Sequence, residues 1–361
     1  MMPAVFRKMD PQRTASVGEN RSSPRLCIVP QVSGVGGMVS FQAKIVKNLR
    51  ERGISVCFDL SDESYDGVLI VGGTRQVNGL WGARRRGVPV IQRLDGMNWI
   101  HRKRRTGIRH YLRSETANVL LSFIRKRIAT GVIYQSEFVR DWWGRVYGPV
   151  TKPYWVVHNG VDLNLYSPDG PHDRPDDRYR ILVVEGRLGG GYELGVEHAI
   201  SLAAQIAKRT TLSIELMIVG QVPSAVRGWV ERTAEIPILW PGLIPPDQIP
   251  TVDRSAHLLF AADIHPACPN AVIEALGCGL PVAAFDTGAL KELVGAEAGA
   301  IVDYGGESWQ LDPPDFSSLA QAAVSVLEDQ GRYRAGARSY AEENLGLDKM
   351  VDGYLEAFGW S

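Results

Sequence analysis

The feature that most restricts the fold is a recurring unit: a short apolar run, a glycine-containing turn, then an amphipathic stretch of helical length. Leu26-Cys27-Ile28-Val29 leads into Gly34-Val35-Gly36-Gly37 and a helical pattern from Met38 to Arg52, which Gly53 ends. Ile54–Phe58, Val68–Val71, Val88–Ile91 and Gly131–Tyr134 repeat the apolar pattern, with a basic helical stretch over 101–127. Runs this short that stay apolar on both faces are strands of a parallel sheet covered by helices. After a Pro/Asp-rich linker, Ser167 to Asp177, the pattern restarts at Arg180–Val184. Strands at 214–219, 238–240, 257–260 and 281–285 then alternate with helices at 195–208, 224–235 and 271–278. Helices at 315–328, 331–344 and 347–358 close the chain. Two such series predict an α/β chain of two Rossmann-like domains facing across a central cleft, with ligands at the strand C-terminal ends. A length of 361 residues suits two domains. The expected boundaries are a polar tail at 1–23, a first domain over 24–153, a second over 154–345, and the terminal segment 346–361.

Net charge is zero, yet residues 1–150 hold 25 Lys+Arg against 11 Asp+Glu, and the remainder holds 15 against 29. Halves of +14 and −14 point to domains with different partners. Cys27, Cys57, Cys268 and Cys278 include no CxxC pair, so free buried thiols are expected. Neither a run long enough to cross a membrane nor the apolar core of a signal peptide occurs. Seven histidines without HExxH or clustered spacing give no metal site, and no Gly-x-Ser-x-Gly elbow or Walker A loop is present.

The segment richest in chemistry is Pro269-Asn270-Ala271-Val272-Ile273-Glu274-Ala275-Leu276-Gly277-Cys278-Gly279-Leu280-Pro281-Val282. Asn270 is expected as the N-cap, which leaves the N–H groups of residues 271–273 and the helix dipole open to an anion. Glu274, one turn in, can accept hydrogen bonds from a ribose diol whose phosphates rest on those N–H groups. An ordinary capped helix with a solvated Glu is the alternative.

This stretch resembles the nucleotide-sugar segment of the retaining glycosyltransferases of family four, which have the GT-B fold. The likeness runs in order along the chain: Gly34 to Gly37, Arg52-Gly53-Ile54, His158-Asn159-Gly160-Val161-Asp162, Glu185-Gly186-Arg187-Leu188 and Pro241-Gly242-Leu243-Ile244. The resemblance implies transfer of a sugar from a nucleoside-diphosphate sugar to a hydroxyl acceptor, with retention, no metal and no further cofactor. Arg187 and Asp95 become the candidate catalytic residues, though Asp95 in Arg93-Leu94-Asp95-Gly96 reads equally as an Asx turn. Glu274, Asn270, Ala271, Val272, Gly242, Leu243, Gly189 and Gly190 become candidates for the donor nucleotide. Gly36, Gly37 and Asn159 become candidates for the donor phosphate, the sugar or the acceptor loop. The terminal helix is expected to pack back on the first domain.

Two positions depart from the family. Its second Glu, eight residues before Glu274, is Pro266 here, with Asp263, His265 and Asn270 as the nearest polar groups. Its Lys after Gly-Arg is absent from Gly189-Gly190-Gly191-Tyr192-Glu193, where backbone N–H groups are the substitute. A nucleotide-sugar-binding relative without catalysis, and an epimerase or phosphorylase on the same fold, therefore remain open. Residues 101–127 hold nine Lys+Arg and one acid, Glu115, interleaved with apolar residues. A solvated helix face and contact with an anionic membrane surface both stay open for this stretch; the expected acceptor is a glycan, lipid-linked or small hydroxyl compound, with no nucleic acid, and the expected location is cytoplasmic, at the inner face of the membrane if the second reading holds.

Overall fold

The computed structural model describes residues 23–34, 36–62, 64–189 and 193–360. Residues 1–22 of the expected tail, and Gly190, lie outside the described residues.

Two six-stranded parallel sheets form the frame. The first contains β1 (Arg25–Val29), β2 (Ser55–Cys57), β3 (Gly67–Val71), β4 (Val90–Leu94), β5 (Gly131–Tyr134) and β6 (Tyr154–Val156), in the order β2-β1-β3-β4-β5-β6. The second contains β7 (Arg178–Arg187), β8 (Ser213–Gln221), β9 (Ile238–Gly242), β10 (Leu258–Phe260), β11 (Val282–Phe285) and β12 (Gly299–Val302), in the order β12-β11-β10-β7-β8-β9. β1, β3, β4, β5, β10 and β11 are buried along nearly their whole length, as strands covered on both faces must be. Each sheet reverses its winding next to its first strand, between β1 and β3 and between β7 and β10. Such switch points are where open α/β sheets bind ligands.

The helices are α1 (Gly37–Glu51), α2 (Val77–Arg85), α3 (Ile108–Phe123), α4 (Glu137–Tyr147), α5 (Leu194–Ala207), α6 (Ser224–Thr233), α7 (Ile249–Arg254), α8 (Asn270–Gly277), α9 (Leu290–Leu293), α10 (Phe316–Glu328), α11 (Gln330–Asn344) and α12 (Leu347–Phe358). α12 packs on the first sheet's core: Met350, Val351, Tyr354 and Phe358 share one cluster with Leu26, Phe41 and Ile45. Arg52 holds Asp348 at 2.7 Å and also pairs with Asp352. The chain thus crosses from the first domain to the second and back.

Several expectations from the sequence are corrected. β6 pairs with β5, so the boundary at 153/154 falls one short strand too early. The basic stretch 101–127 is not one helix: a single 3-10 turn, Ile100–Arg102, precedes α3, and Gly107 at φ +87° breaks the path between them. The last turn, Ile124–Ile128, is π-helical. Arg125 there is 1% exposed, donating to the Tyr134 hydroxyl and the Gly148 carbonyl, so it is a core residue rather than part of a surface patch. The four cysteines are buried and unpaired. Among the described residues no helix is long and apolar enough to cross a membrane.

Candidate active site

α8 begins one residue earlier than the sequence suggests. Pro269 is its extended N-cap and Asn270 its first helical residue, with no side-chain cap bond. Ile273 N–H already bonds the Pro269 carbonyl at 3.4 Å, so the N–H groups left to a ligand are those of Asn270, Ala271 and Val272. Instead of capping the helix, the Asn270 side chain accepts from Asn159 Nδ2 through its Oδ1, at 3.1 Å. Asn159 also donates to the Cys268 carbonyl at 3.0 Å and accepts from Arg93 Nη2 at 3.1 Å. The Asn159 amide therefore bolts the crossing between domains to α8 and is not open to a ligand, which corrects its expected role.

The Gly36–Gly37 loop closes over this helix end from the first domain. Gly36 has φ +139°, a conformation that disfavours side chains, and a Cβ on Gly37 would sit 3.9 Å from Asn270 Nδ2. Two helix N-termini, α1 and α8, thus meet across the cleft, a favourable place for a diphosphate. One turn into α8, Glu274 is largely buried and paired with Lys44 Nζ of α1 at 3.1 Å. Burial pushes its carboxyl up, while the Lys44 ammonium and the Tyr166 hydroxyl pull it down. Gly242 ends β9 at φ +77°, and Leu243 after it is exposed.

Arg187 lies at the C-terminal end of β7, exposed to the cleft. β7 carries an irregularity between Val184 and Arg187 against β8. Gly220 makes it possible: a Cβ there would fall 1.9 Å from the Glu185 carbonyl oxygen. The result is a chamber of about 260 Å³ lined by Glu185, Arg187, Asp263 and Trp99. Gly189, beside it, is buried against Pro223. Burial, and then the Asp263 charge, raise the Glu185 carboxyl to about 8. Burial also raises Asp263, to about 6. Glu185 is a site residue that the motifs do not single out. Strand alternation from Arg187 does not reveal it, because the irregularity of β7 between Val184 and Arg187 interrupts that alternation.

A second chamber of about 510 Å³ lies on the first-domain side. Gly72, Gly73, Asp95 and Leu121 line one wall; Asp263, His265 and Pro266 line the other. Trp99, Asp263 and Ile264 line both chambers. Burial raises the Asp95 carboxyl against the pull of Arg93. His265 takes φ +60°, unusual for a side chain, and stacks on Trp309 at 3.6 Å. Among the described residues no group of His, Cys, Asp and Glu is arranged to hold a metal ion.

The cleft therefore brings together two helix N-termini, a carboxylate one helical turn away, a guanidinium at a strand end and a chamber of about 510 Å³. Residues 179–329 match the family described as "Glycosyl transferases group 1". A 2-deoxystreptamine glucosyltransferase of Streptomyces kanamyceticus is 25% identical over 181 residues, 47% of this chain and 43% of that protein. The curated relatives are thus matched over less than half their length, 43% and 28%. Among solved structures, HepE of Anabaena in complex with UDP and glucose superposes with a TM-score of 0.68 at 17% identity, covering 93% of this chain and 99% of that one. Sucrose-phosphate synthase of Thermosynechococcus elongatus gives 0.69 at 15% identity over 94% and 100%. Residues 179–329 are thus similar to a Glycosyl transferases group 1 domain, in a chain whose two facing Rossmann-like domains have the GT-B fold.

Proposed function

We propose that this chain is a glycosyltransferase that moves a sugar from a nucleoside-diphosphate sugar to a hydroxyl acceptor, with retention and without a metal ion. The observation that carries this reading is the meeting of the Gly36–Gly37 loop with the N-terminus of α8, with Glu274 one turn behind. The group 1 domain and the UDP and glucose bound to HepE support it. The diphosphate lies on the N–H groups of Asn270, Ala271 and Val272, and Glu274 takes the ribose. The base lies near Gly242 and Leu243. Arg187 stabilises the charge that grows on the departing diphosphate, where preorganised donors act most strongly. The acceptor hydroxyl approaches through the chamber beside Asp95, and cleft closure excludes water.

The acceptor is a glycan, a lipid-linked sugar or a small molecule, in glycoconjugate or polysaccharide synthesis. The exposed apolar and basic face of α3 supports work at the anionic inner face of a membrane. A second acceptor reading, an amine-bearing small molecule, is favoured by Asp95 and Asp263 in the acceptor chamber and by the named activity of the Streptomyces relative.

A thermal-shift panel of nucleoside diphosphates and nucleotide sugars tests the reading. A ligand at 100 times its Kd adds about 2.7 kcal/mol of stability. The expected result is stabilisation by one diphosphate family, with Glu274→Ala weakening binding by about 3 kcal/mol or more. A panel without any shift, or an unchanged Kd in Glu274→Ala, would refute the assignment.

A further inference from the structure

Lys44 has no place in the reading above, yet it touches a residue that does. Its Nζ lies 3.1 Å from Glu274 Oε1, and the two side chains are 21% and 13% exposed. They come from opposite domains, 230 residues apart in sequence. The contact follows from the same helix geometry that frames the diphosphate site. Gly37 and Lys44, seven apart, share one face of α1; Asn270 and Glu274, four apart, share one face of α8. Gly37 opposite Asn270 and Lys44 opposite Glu274 are two successive rungs between these helices.

The surroundings explain why Glu274 needs a cation. The charged or titratable groups that face it are Lys44, Tyr166, Asp253 and Cys278. Asp253, on α7, is 1% exposed, and its negative form would repel Glu274. Tyr166, whose hydroxyl also faces Glu274, carries no charge to balance it, because burial pushes that hydroxyl up. The Lys44 ammonium is thus the positive charge facing a carboxylate that burial pushes toward its neutral form. It engages Oε1, and the Gly160 carbonyl at 3.5 Å steadies it from behind.

We infer that Lys44 is a positioning residue of the donor site: from the first domain it keeps Glu274 charged and oriented, with Oε2 presented to the ribose diol. The inference rests on Glu274 as the ribose carboxylate. Its consequence is that ribose recognition is complete only when the cleft is closed, because the cation and the carboxylate belong to different domains. A charged acceptor gives stronger hydrogen bonds to the diol than a neutral carboxyl does.

Paired titrations of UDP and GDP, each against its 2′,3′-dideoxy counterpart, test this with the full chain. The wild type is expected to prefer the ribose form of the diphosphate it binds by about tenfold or more. Lys44→Met should shrink that preference to about threefold or less, with dideoxy affinity nearly unchanged. Lys44→Gln should repeat the loss, and Lys44→Arg should retain the preference because it keeps the charge. A merely structural role would lower ribose and dideoxy affinities together, and that result would overturn the inference. So would an undiminished preference in Lys44→Met, or a lost one in Lys44→Arg. A wild type that ignores the diol, or binds neither diphosphate, would instead overturn the ribose reading of Glu274, and the role of Lys44 with it.

Discussion

At the residue scale, the chamber beside Arg187 is defined by carboxyls from the ends of two neighbouring strands. Asp263 and Glu185 bring two carboxyls to the same chamber from the ends of β10 and β7. Their proximity carries a pH dependence. Glu185 is raised to about 8 and Asp263 to about 6, above the range of carboxyls in an unfolded chain. The folded state therefore holds more protons than the unfolded one across this window, so stability falls as pH rises through about 6 to about 8. One extra bound proton gives a slope of about 1.4 kcal/mol per pH unit. Urea unfolding at several pH values should show this fall in the wild type and a shallower one in Glu185→Gln. Parallel slopes in the two proteins would mean that the pair does not share its proton. Asp263 is within reach of the sequence, because it neighbours a motif. Glu185 is not, because the irregularity of β7 breaks the alternation that would tie it to Arg187. Lys44 and Arg93 are out of reach: Arg93 is 2% exposed, stacked 3.9 Å over Phe41 and bonded to Asn159, and no local pattern announces a buried arginine.

At the scale of elements, strands are legible where burial makes them uniformly apolar, as in β1, β3, β5 and β11. β6 is not, because it is three residues long and half-exposed. α2 is hidden because Gly79 and Gly82 interrupt it, and α9 because four residues carry no period. α4 does carry a signal: Ser136 caps it by accepting from Val139 N–H at 3.2 Å. α3 is legible as a basic helix, but its apolar stripe needs the structure. Ile108, Leu112, Val119 and Phe123 fall on one face, and the first three are 77%, 59% and 58% exposed. Arg105, Arg109, Arg113, Lys126 and Arg127 are exposed beside them. An apolar stripe rimmed by cations suits an anionic lipid surface, where each cation contributes on the order of 1 kcal/mol. Co-sedimentation should retain the protein on acidic vesicles and not on neutral ones. Leu112→Glu should weaken retention by about tenfold, since it removes apolar contact and adds a repelled charge. Equal retention on both vesicle types, or on neither at low salt, would refute the membrane reading and favour a small soluble acceptor.

At the scale of the whole molecule, the charge split becomes a force between domains. Where the two halves meet, the cations come from the first and the carboxylates from the second. Lys44 faces Glu274 at 3.1 Å, and Arg104 faces Glu193 at 3.6 Å. Glu292 accepts from the N–H groups of Glu137 and Phe138, at 2.8 and 2.7 Å, so that an acid of the second domain sits at the positive end of α4. Opposite net charges attract over a range set by the Debye length, about 10 Å at 0.1 M salt and about 3 Å at 1 M. Salt should therefore open the cleft of the free protein, because the longer-range part of the attraction is screened first. A nucleoside diphosphate should close it again, since its own contacts bridge α1 and α8 at short range. Small-angle scattering at low and high salt, with and without the diphosphate, reads both effects. The expected result is a radius of gyration that grows with salt and shrinks on adding the diphosphate. A radius indifferent to salt would mean that apolar packing of α12 on the first sheet, rather than charge, sets the angle between the domains, and the split would then serve the partners of each half alone.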